Sequence, residues 1–515
     1  MANASIILTG VSSNFPNPGV YAQINFAAGP SGPAAGPRNI LLYGNAATAG
    51  TATRDTVVYG PDTQTPCQTE SDVITLFGAG SHLHRMFLRA SAVLGNNSPI
   101  GIYYIPVTSS AGSAATATLT IATTATSVGN LRFWCVDQFI DTGINVGDTA
   151  TAIAANVATS INSQTRWPIT ASPSAGAVTL TAVVPGTEGN WIKVQALITP
   201  GTAVIGTTTT LTANTLLTGG TTADSIATAL TTVQPTRYYY QVLHDSDATN
   251  AGRLVTQINS QAQPTTGIRQ RGFMGTADTL ANEITLATGL NAPRMEVSSA
   301  LGSDWTPMEI AANNAALYAL FEASGNGPGP GRHNFSLFPA RPGDSSSWFV
   351  SLTRSGSGAA LTTTQITSAL NNGITPLIVV GNSLALDKRI TSRSLNGSTQ
   401  DYRVRDAHRV SIPDWWTDDA VALTQNNYGG LDITDNPQPG VQFPNNCTCP
   451  NFWGAALKGL VQTYSNGGQL KNVSTILSAM ITQKETSPPN RMSNLTPLQC
   501  IDLGDQYQLL VLQVG

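Results

Sequence analysis

Four short stretches carry residue types at spacings that catalytic or metal chemistry uses. Gly78-Ala79-Gly80-Ser81 has the glycines to cradle a phosphate, but no Lys-Ser/Thr pair follows to reach the outer phosphates and their metal. His82 and His84 stand two apart on a predicted helix, where side chains at i and i+2 diverge and do not share a metal ion. Gly381-Asn382-Ser383-Leu384-Ala385 approaches a serine-hydrolase elbow, yet it lacks the last glycine and lies between two strands instead of a strand and a helix. Cys447-Thr448-Cys449 has no second pair to complete a zinc site. The chain is therefore expected to hold no catalytic residue, no cofactor and no metal.

The elements around these stretches read as an α/β protein. Residues 39–44 form a short apolar strand ending at glycine, and a helix follows Thr69-Glu70-Ser71-Asp72. Gly78-Ala79-Gly80 interrupts that helix, and Ser81 restarts it as an N-cap with Leu83, Phe87, Ala90 and Leu94 on one face. Ile102-Tyr103-Tyr104-Ile105 is the next strand, and strand, helix, strand at these spacings opens an α/β fold. From about Thr108 to Thr222 the composition turns to Thr and Ala, and this stretch reads as an inserted β-rich domain. Within it, residues 131–136 and 139–141 are expected to pair, Asp148 to cap a helix carrying Ile153, Val157 and Ile161, and residues 177–182 to pair with residues 191–194. The α/β rhythm resumes with a strand at 238–243, helices over about 248–260 and 280–290, a strand at 295–297 and a helix from Pro307. Leu370-Asn371-Asn372-Gly373 reads as a helix end, and residues 377–380 and 384–386 as a hairpin. Residues 325–331, all Gly, Pro or Asn, are an irregular loop.

The expected architecture is a multidomain α/β (α+β) chain with a discontinuous core. Residues 1–37 are an N-terminal arm and linker, 38–107 and 223–500 the two parts of the core, 108–222 the insert, and 501–515 a C-terminal arm strand. The arms pose a physical problem. Tyr507 to Val514 is an apolar, β-prone run with no partner hairpin, and residues 20–26, with Val20, Tyr21, Ile24 and Phe26, form a second strand near the other end. Exposed apolar strand edges invite aggregation, so each arm either closes a sheet of its own subunit or pairs with another copy. The Gly/Pro-rich segment 29–37 has the composition of a flexible hinge behind the first arm.

Composition favours the second alternative. Charged residues make up only 10% of the 515 residues, against roughly 25% in ordinary globular chains. With 41% hydrophobic residues the chain folds, so much of its surface is left to small neutral residues that suit contact with copies of itself. A net charge of −4 offers no footprint for nucleic acid. No apolar run approaches the roughly 20 residues of a membrane span, and the first ten residues, without a basic side chain, are not expected to be a secretory signal. Five dispersed cysteines do not resemble a disulfide framework and suit a reducing cytoplasm.

The order of several short motifs resembles that of tail sheath proteins of contractile bacteriophage tails, of the Mu-like type. The resemblance rests on Pro18-Gly19-Val20-Tyr21, on Leu76-Phe77-Gly78-Ala79-Gly80-Ser81-His82-Leu83, and on the insert beginning at Leu131-Arg132-Phe133. Leu370-Asn371-Asn372-Gly373-Ile374-Thr375-Pro376-Leu377, Arg389-Ile390-Thr391-Ser392, Asp401-Tyr402 and Pro489-Asn490-Arg491 continue it; residues 410–455 depart from it. It implies a structural, non-enzymatic subunit of the virion tail, assembled in the host cytoplasm. Such a subunit stacks as hexameric rings in a helical lattice around a tail tube protein, meets baseplate and tail terminator proteins, and contracts to drive the tube through the host envelope. Leu509, Leu510, Val511 and Leu512 would then pair between subunits, as would Val20, Tyr21, Ile24 and Phe26. Lys388, Arg389, Arg393, Arg403, Arg405 and Arg409, six of 25 basic residues, are expected to form a basic face toward the tube, with a solvated hairpin face as the alternative. The competing identities are another self-assembling shell, such as a capsid or surface layer, and an α/β hydrolase with a β-rich insert.

Overall fold

The computed structural model describes residues 39–323 and 361–500, apart from 63–64, 68, 96–97, 99, 200–210, 212–214, 235, 300, 302, 381–382 and 387. Both arms, the linker at 29–37 and the Gly/Pro run at 325–331 lie outside the described residues.

Strand β1 (Ile40–Gly44) is followed by helices α1 (Glu70–Phe77) and α2 (His82–Leu94), and the chain returns in parallel as β2 (Ile102–Pro106). Thr69 and Asp72 form a reciprocal capping box on α1, and the Ser81 hydroxyl accepts the His84 N–H to start α2. Gly78 between them has φ 81°, a conformation that glycine adopts without strain.

The chain then leaves this sheet. Strands β3 (Thr116–Thr120), β4 (Gly129–Cys135) and β5 (Gln138–Ile144) precede helix α3 (Ala150–Asn162), and β6 (Ile169–Ser174), β7 (Ala177–Ala182), β8 (Lys193–Thr199) and β9 (Thr215–Leu216) follow it. They form two antiparallel sheets, ordered β3-β7-β6 and β5-β4-β8-β9, with α3 packed on β5, β6 and β7. The β4–β5 pairing agrees with the sequence expectation. Two details differ. Strand β7 does not pair with β8: a 3-10 turn at Thr187–Trp191 carries the chain into the other sheet, and β7 pairs with β6 and β3 instead. The β6–β7 turn at Ala175 and Gly176 has positive φ at both positions, the geometry of a two-residue hairpin. The cap of α3 is Thr149, because the Asp148 carboxylate is occupied by the Asn145 N–H at 2.7 Å.

The chain comes back through α4 (Ala227–Val233) and alternates β10 (Tyr240–Val242), α5 (Ala248–Gln261), β11 (Arg271–Thr276), α6 (Leu280–Leu290) and β12 (Met295–Ser299). Helix α7 (Pro307–Ala323), α8 (Thr363–Asn371) and β13 (Ile374–Thr375) complete this part. The six strands form one parallel sheet in the order β13-β12-β11-β10-β1-β2. Alternate residues of β1 face opposite layers. Ile40 and Leu42 join Tyr240, Val242 and Phe273 against α2 and α7, while Leu41 and Tyr43 join Met274 and Met295 against α4, α5 and α6. Burial on both faces explains why these strands read as continuous apolar runs. Helix α7 is enclosed, with residues 303–319 all buried between α2 and the sheet.

Beyond β13, strands β14 (Leu377–Val380) and β15 (Ser383–Leu386) form the expected hairpin. Residues 410–455, where the sequence resemblance fails, contain most of helix α9 (His408–Tyr428) and the start of α10 (Pro450–Asn466). Trp416 of α9 packs with Leu457, Val461 and Tyr464 of α10 and with Ile476 of α11 (Val473–Ala479) in a third core. Cys447 lies in a two-residue strand paired with Asp432–Ile433, and Cys449 is buried at the start of α10. A last hairpin pairs Ile481–Lys484 with Met492–Leu495.

Close approach of α7 to the sheet depends on Gly275 in β11, where a Cβ would stand 2.0 Å from the Pro307 carbonyl oxygen. Gly275→Ala is expected to destabilise the chain by roughly 3 kcal/mol, the upper end of overpacking costs. Gly289→Ala, in α6 with open space around it, is expected to stabilise by roughly 0.5–1 kcal/mol. Thermal denaturation of the two variants should shift in opposite directions.

Candidate functional site

The residues singled out by sequence for the tube face fall into two groups. Lys388 is buried, with Nζ 3.0 Å from Asp406, and Arg389 is buried with its guanidinium 4.3 Å above the Tyr318 ring of α7. These two are interior residues, which corrects their expected place on a docking face: the aspartate and the aromatic ring draw them inward. Arg405 and Arg409 stand 3.4 and 3.5 Å from the same Asp406, and Arg393 and Arg403 stand 3.1 and 2.9 Å from Asp401. Arg403, with 46% of its side chain exposed, is the most open of the six. Asp401 and Asp406 thus neutralise much of the charge that the sequence concentrates here.

The strongest electrostatic feature lies elsewhere, at the carboxyl edge of the parallel sheet. Glu309, in the first turn of α7, accepts Arg85 Nη2 at 2.5 Å and Arg89 Nε at 2.8 Å through Oε1, and the Thr306 N–H at 2.9 Å through Oε2. Arg85 and Arg89 are one helical turn apart on α2, so both point at the same carboxylate. Arg89 also donates to Asp137 at 2.9 Å, at the β4–β5 turn, and lies 4.1 Å over the Trp305 ring. Trp305 Nε1 donates to the other oxygen of Asp137 at 3.0 Å. Two guanidinium and two carboxylate groups therefore close a neutral, buried network among α2, α7 and the β3–β9 unit. Lys193 of β8 adds a bond to the Ser303 carbonyl, and Arg166, after α3, forms a bidentate pair with Glu70 of α1. Burial alone would raise Glu309 and Asp137, but Arg85 and Arg89 outweigh it and hold both carboxyls below their usual range.

A second seam lines the opposite, amino edge of the sheet. Arg294, before β12, makes a bidentate pair with Asp414 of α9 at 2.6 and 2.8 Å. Arg237 and Arg269, before β10 and β11, meet Asp418 at 2.5 and 3.0 Å. Arg271 opens β11 and donates to the Ala407 carbonyl at 3.0 Å and to Ser411 Oγ at 2.6 Å. Asp414 and Asp418 are again one turn apart. Burial raises Asp414 and lowers Arg294 despite their contact, so desolvation outweighs their attraction. The two seams fasten the β3–β9 unit to one edge of the sheet and the α9 unit to the other.

Comparison with known proteins bears on what such a chain is for. The tail sheath protein of the Mu-like prophage FluMu of Haemophilus influenzae is 26% identical to it over 192 residues. The resemblance to phage tail sheath proteins stands. The match spans 37% of this chain and 37% of the relative's length. No family model matches. Among solved structures, the sheath tail protein of Desulfitobacterium hafniense has 12% identity and a TM-score of 0.45, covering 94% of this chain and 100% of that one. The sheath tail protein of Listeria innocua has 13% identity and a TM-score of 0.43, covering 92% of this chain and 94% of that one.

Sequence reading missed the seam residues because Arg85, Arg89, Glu309 and Asp137 are far apart along the chain. The available signal was scarcity: in so uncharged a protein, two arginines at i and i+4 beside an apolar helix face imply a buried acidic partner. Glu309→Gln leaves two buried guanidinium groups facing one carboxylate and is expected to cost about 3–5 kcal/mol. Arg294→Met with Asp414→Leu removes a penalised pair whole and is expected to cost far less. Because Glu309 and Asp137 are depressed in the folded chain, their contribution is present above the ordinary carboxylate range. It is lost as pH falls through about 4 and below. Denaturant titration of the variants, and acid titration of the parent chain, measure these effects.

Proposed function

We propose that the chain is the structural subunit of a contractile phage tail sheath. The carrying observation is the 192-residue match to a tail sheath protein. In this reading subunits stack as hexameric rings in a helical lattice on a tail tube, between baseplate and terminator proteins, and contract to drive the tube through the host envelope. They assemble in the host cytoplasm and reside in the virion tail. The role is mechanical, and no residue is assigned to catalysis.

Contraction of this kind needs subunits that move as bodies and contacts that survive the movement. The buried ion-pair seams support the first requirement. Strand exchange answers the second: residues 507–514 of one subunit and residues 20–26 of another add to a hairpin of a third, with residues 29–37 as the hinge. The hairpin of Ile481–Lys484 and Met492–Leu495 suits the receptor. It has two strands among the described residues, and its paired Ile481 and Leu495 are 36% and 47% exposed. We place the N-terminal arm and linker at 1–37, the core at 38–107 and 223–500, the insert at 108–222 and the C-terminal arm at 501–515. Arg393, Arg403, Arg405 and Arg409 remain the residues proposed to face the tube.

Electron microscopy of the purified chain tests this reading. Tubes or stacked rings are expected from the full chain, and folded, unassembled subunits from a chain lacking residues 506–515. Flat lattices or closed shells would favour another shell protein, and tubes from the truncated chain would return the C-terminal arm to its own subunit.

A further inference from the structure

Both connections between the parallel sheet and the β3–β9 unit pass one buried cluster of ionisable groups. The cluster lies beyond the carboxyl ends of β1 and β10. There the strand order reverses, and open α/β sheets receive ligands at such a point. Here the chain fills that place itself. Asp224, on the returning segment, accepts the Ser110 N–H of the outgoing segment at 2.5 Å and Asn45 Nδ2 at the end of β1. Asn250, in the first turn of α5, donates to the Asp224 carbonyl and to Asp245 Oδ2, each at 2.5 Å. The two segments also bond one another, through Ser113 N to Thr221 Oγ1 at 2.9 Å and Ser110 Oγ to the Thr222 carbonyl at 3.2 Å.

His244 directly follows the β10 region and stands 3.8 Å from both the Asp224 and Asp245 carboxylates. Its ring lies 5.3 Å from that of His82, the first residue of α2. Glu188, from the 3-10 turn of the β3–β9 unit, accepts the Ser246 N–H at 3.4 Å. All five side chains are buried. Around them, Arg54 from the loop after β1 donates to Asn45, and Arg253 of α5 donates to Asn250 and Ser225. Asp55 and Asp247 add negative charge near Arg54 and Asp245 respectively. With every carboxyl ionised and both imidazoles neutral, three buried negative charges would face only the peripheral guanidinium groups. Such a state is costly in a low-dielectric interior.

We propose that this cluster is a proton-dependent clamp on the β3–β9 unit. It holds both connecting segments while His244 is charged and Glu188 is protonated, and it releases them when alkali removes those protons. Burial pushes Glu188 up to about 8, with Asp245 reinforcing it, and burial pushes Asp245 up to about 6. Burial opposes charge on His244, but Asp245, Asp224 and Glu188 prevail and raise it. Burial, aided by His244, lowers His82 to about 3, so His82 stays neutral throughout. Groups raised in the folded state lend stability at low pH and lose it as pH rises through their folded values. The clamp therefore weakens as pH rises from the ordinary carboxylate range through about 8 for Glu188, and above the ordinary histidine value for His244.

Hydrogen exchange of the full-length chain, corrected for base-catalysed intrinsic exchange, tests this between about pH 6.5 and about pH 9. Segments 108–113 and 219–226 are expected to exchange about ten-fold faster at the upper pH, with β11 and β12 unchanged. Glu188→Gln, which keeps the acceptor without the charge, should suppress most of that rise. Corrected rates that stay flat with pH, or a Glu188→Gln chain identical to the parent, would overturn the clamp. Should that variant not fold, carbon-13 NMR of the histidines, with the His244 resonance assigned by its loss in His244→Gln, gives an independent answer. A His244 midpoint above the ordinary histidine range is expected, and one at or below that range contradicts the proposal.

Discussion

A carboxylate sealed inside a protein must be neutralised, and Glu309 shows how much of this chain follows from that requirement. Helix α7 is enclosed between α2 and the sheet, so the charge in its first turn has no water to solvate it. Arg85 and Arg89 supply the partners from α2, and their surplus charge calls in turn for Asp137 from the β4–β5 turn. A local need of one helix end thereby fixes the position of a whole β-rich unit against the parallel sheet. The same device, two like charges one helical turn apart, recurs in Asp414 and Asp418 on α9 at the other edge.

This placement gives the molecule a direction. One unit is fastened at the carboxyl edge of the strands and another at the amino edge, and the six-stranded sheet is the stiff body between them. A force applied to either unit would reach the other through buried ion pairs and along the strands between them. In the reading proposed above, such stiffness is what contraction would require of a subunit. It also gives the low charge content a physical meaning: several of the few charges are held in interior seams.

Much of the fold was legible because local chemistry and tertiary structure agree. Ser81, Pro307, the glycine at 373 and the helix over Leu280–Leu290 each appear where caps and periodicity put them. Misreadings arose where two neighbours could do the same job or where partners lie far apart. Asp148 and Thr149 are both good caps, and only the prior bond from Asn145 decides for Thr149. Strand β7 was assigned the wrong neighbour because a strand run does not state which sheet it joins. The basic cluster was legible as composition only: Asp406 sits in the same stretch and draws Lys388 inside, but Arg389 is held by the Tyr318 ring of distant α7. Helix α9 escaped notice because its first half is buried on every side, mixing Val410, Ile412 and Trp415 with Ser411 and Asp414, and so lacks the single apolar stripe that periodicity detects.

The central claim, that this chain builds a sheath by exchanging terminal strands, is met most directly by a helical reconstruction of its assembly from electron cryomicroscopy. The account predicts residues 507–514 as a strand hydrogen-bonded beside the Ile481–Lys484 hairpin of a different subunit. Finding that strand folded onto the sheet of its own subunit, with neighbours held by surface contact alone, would contradict it.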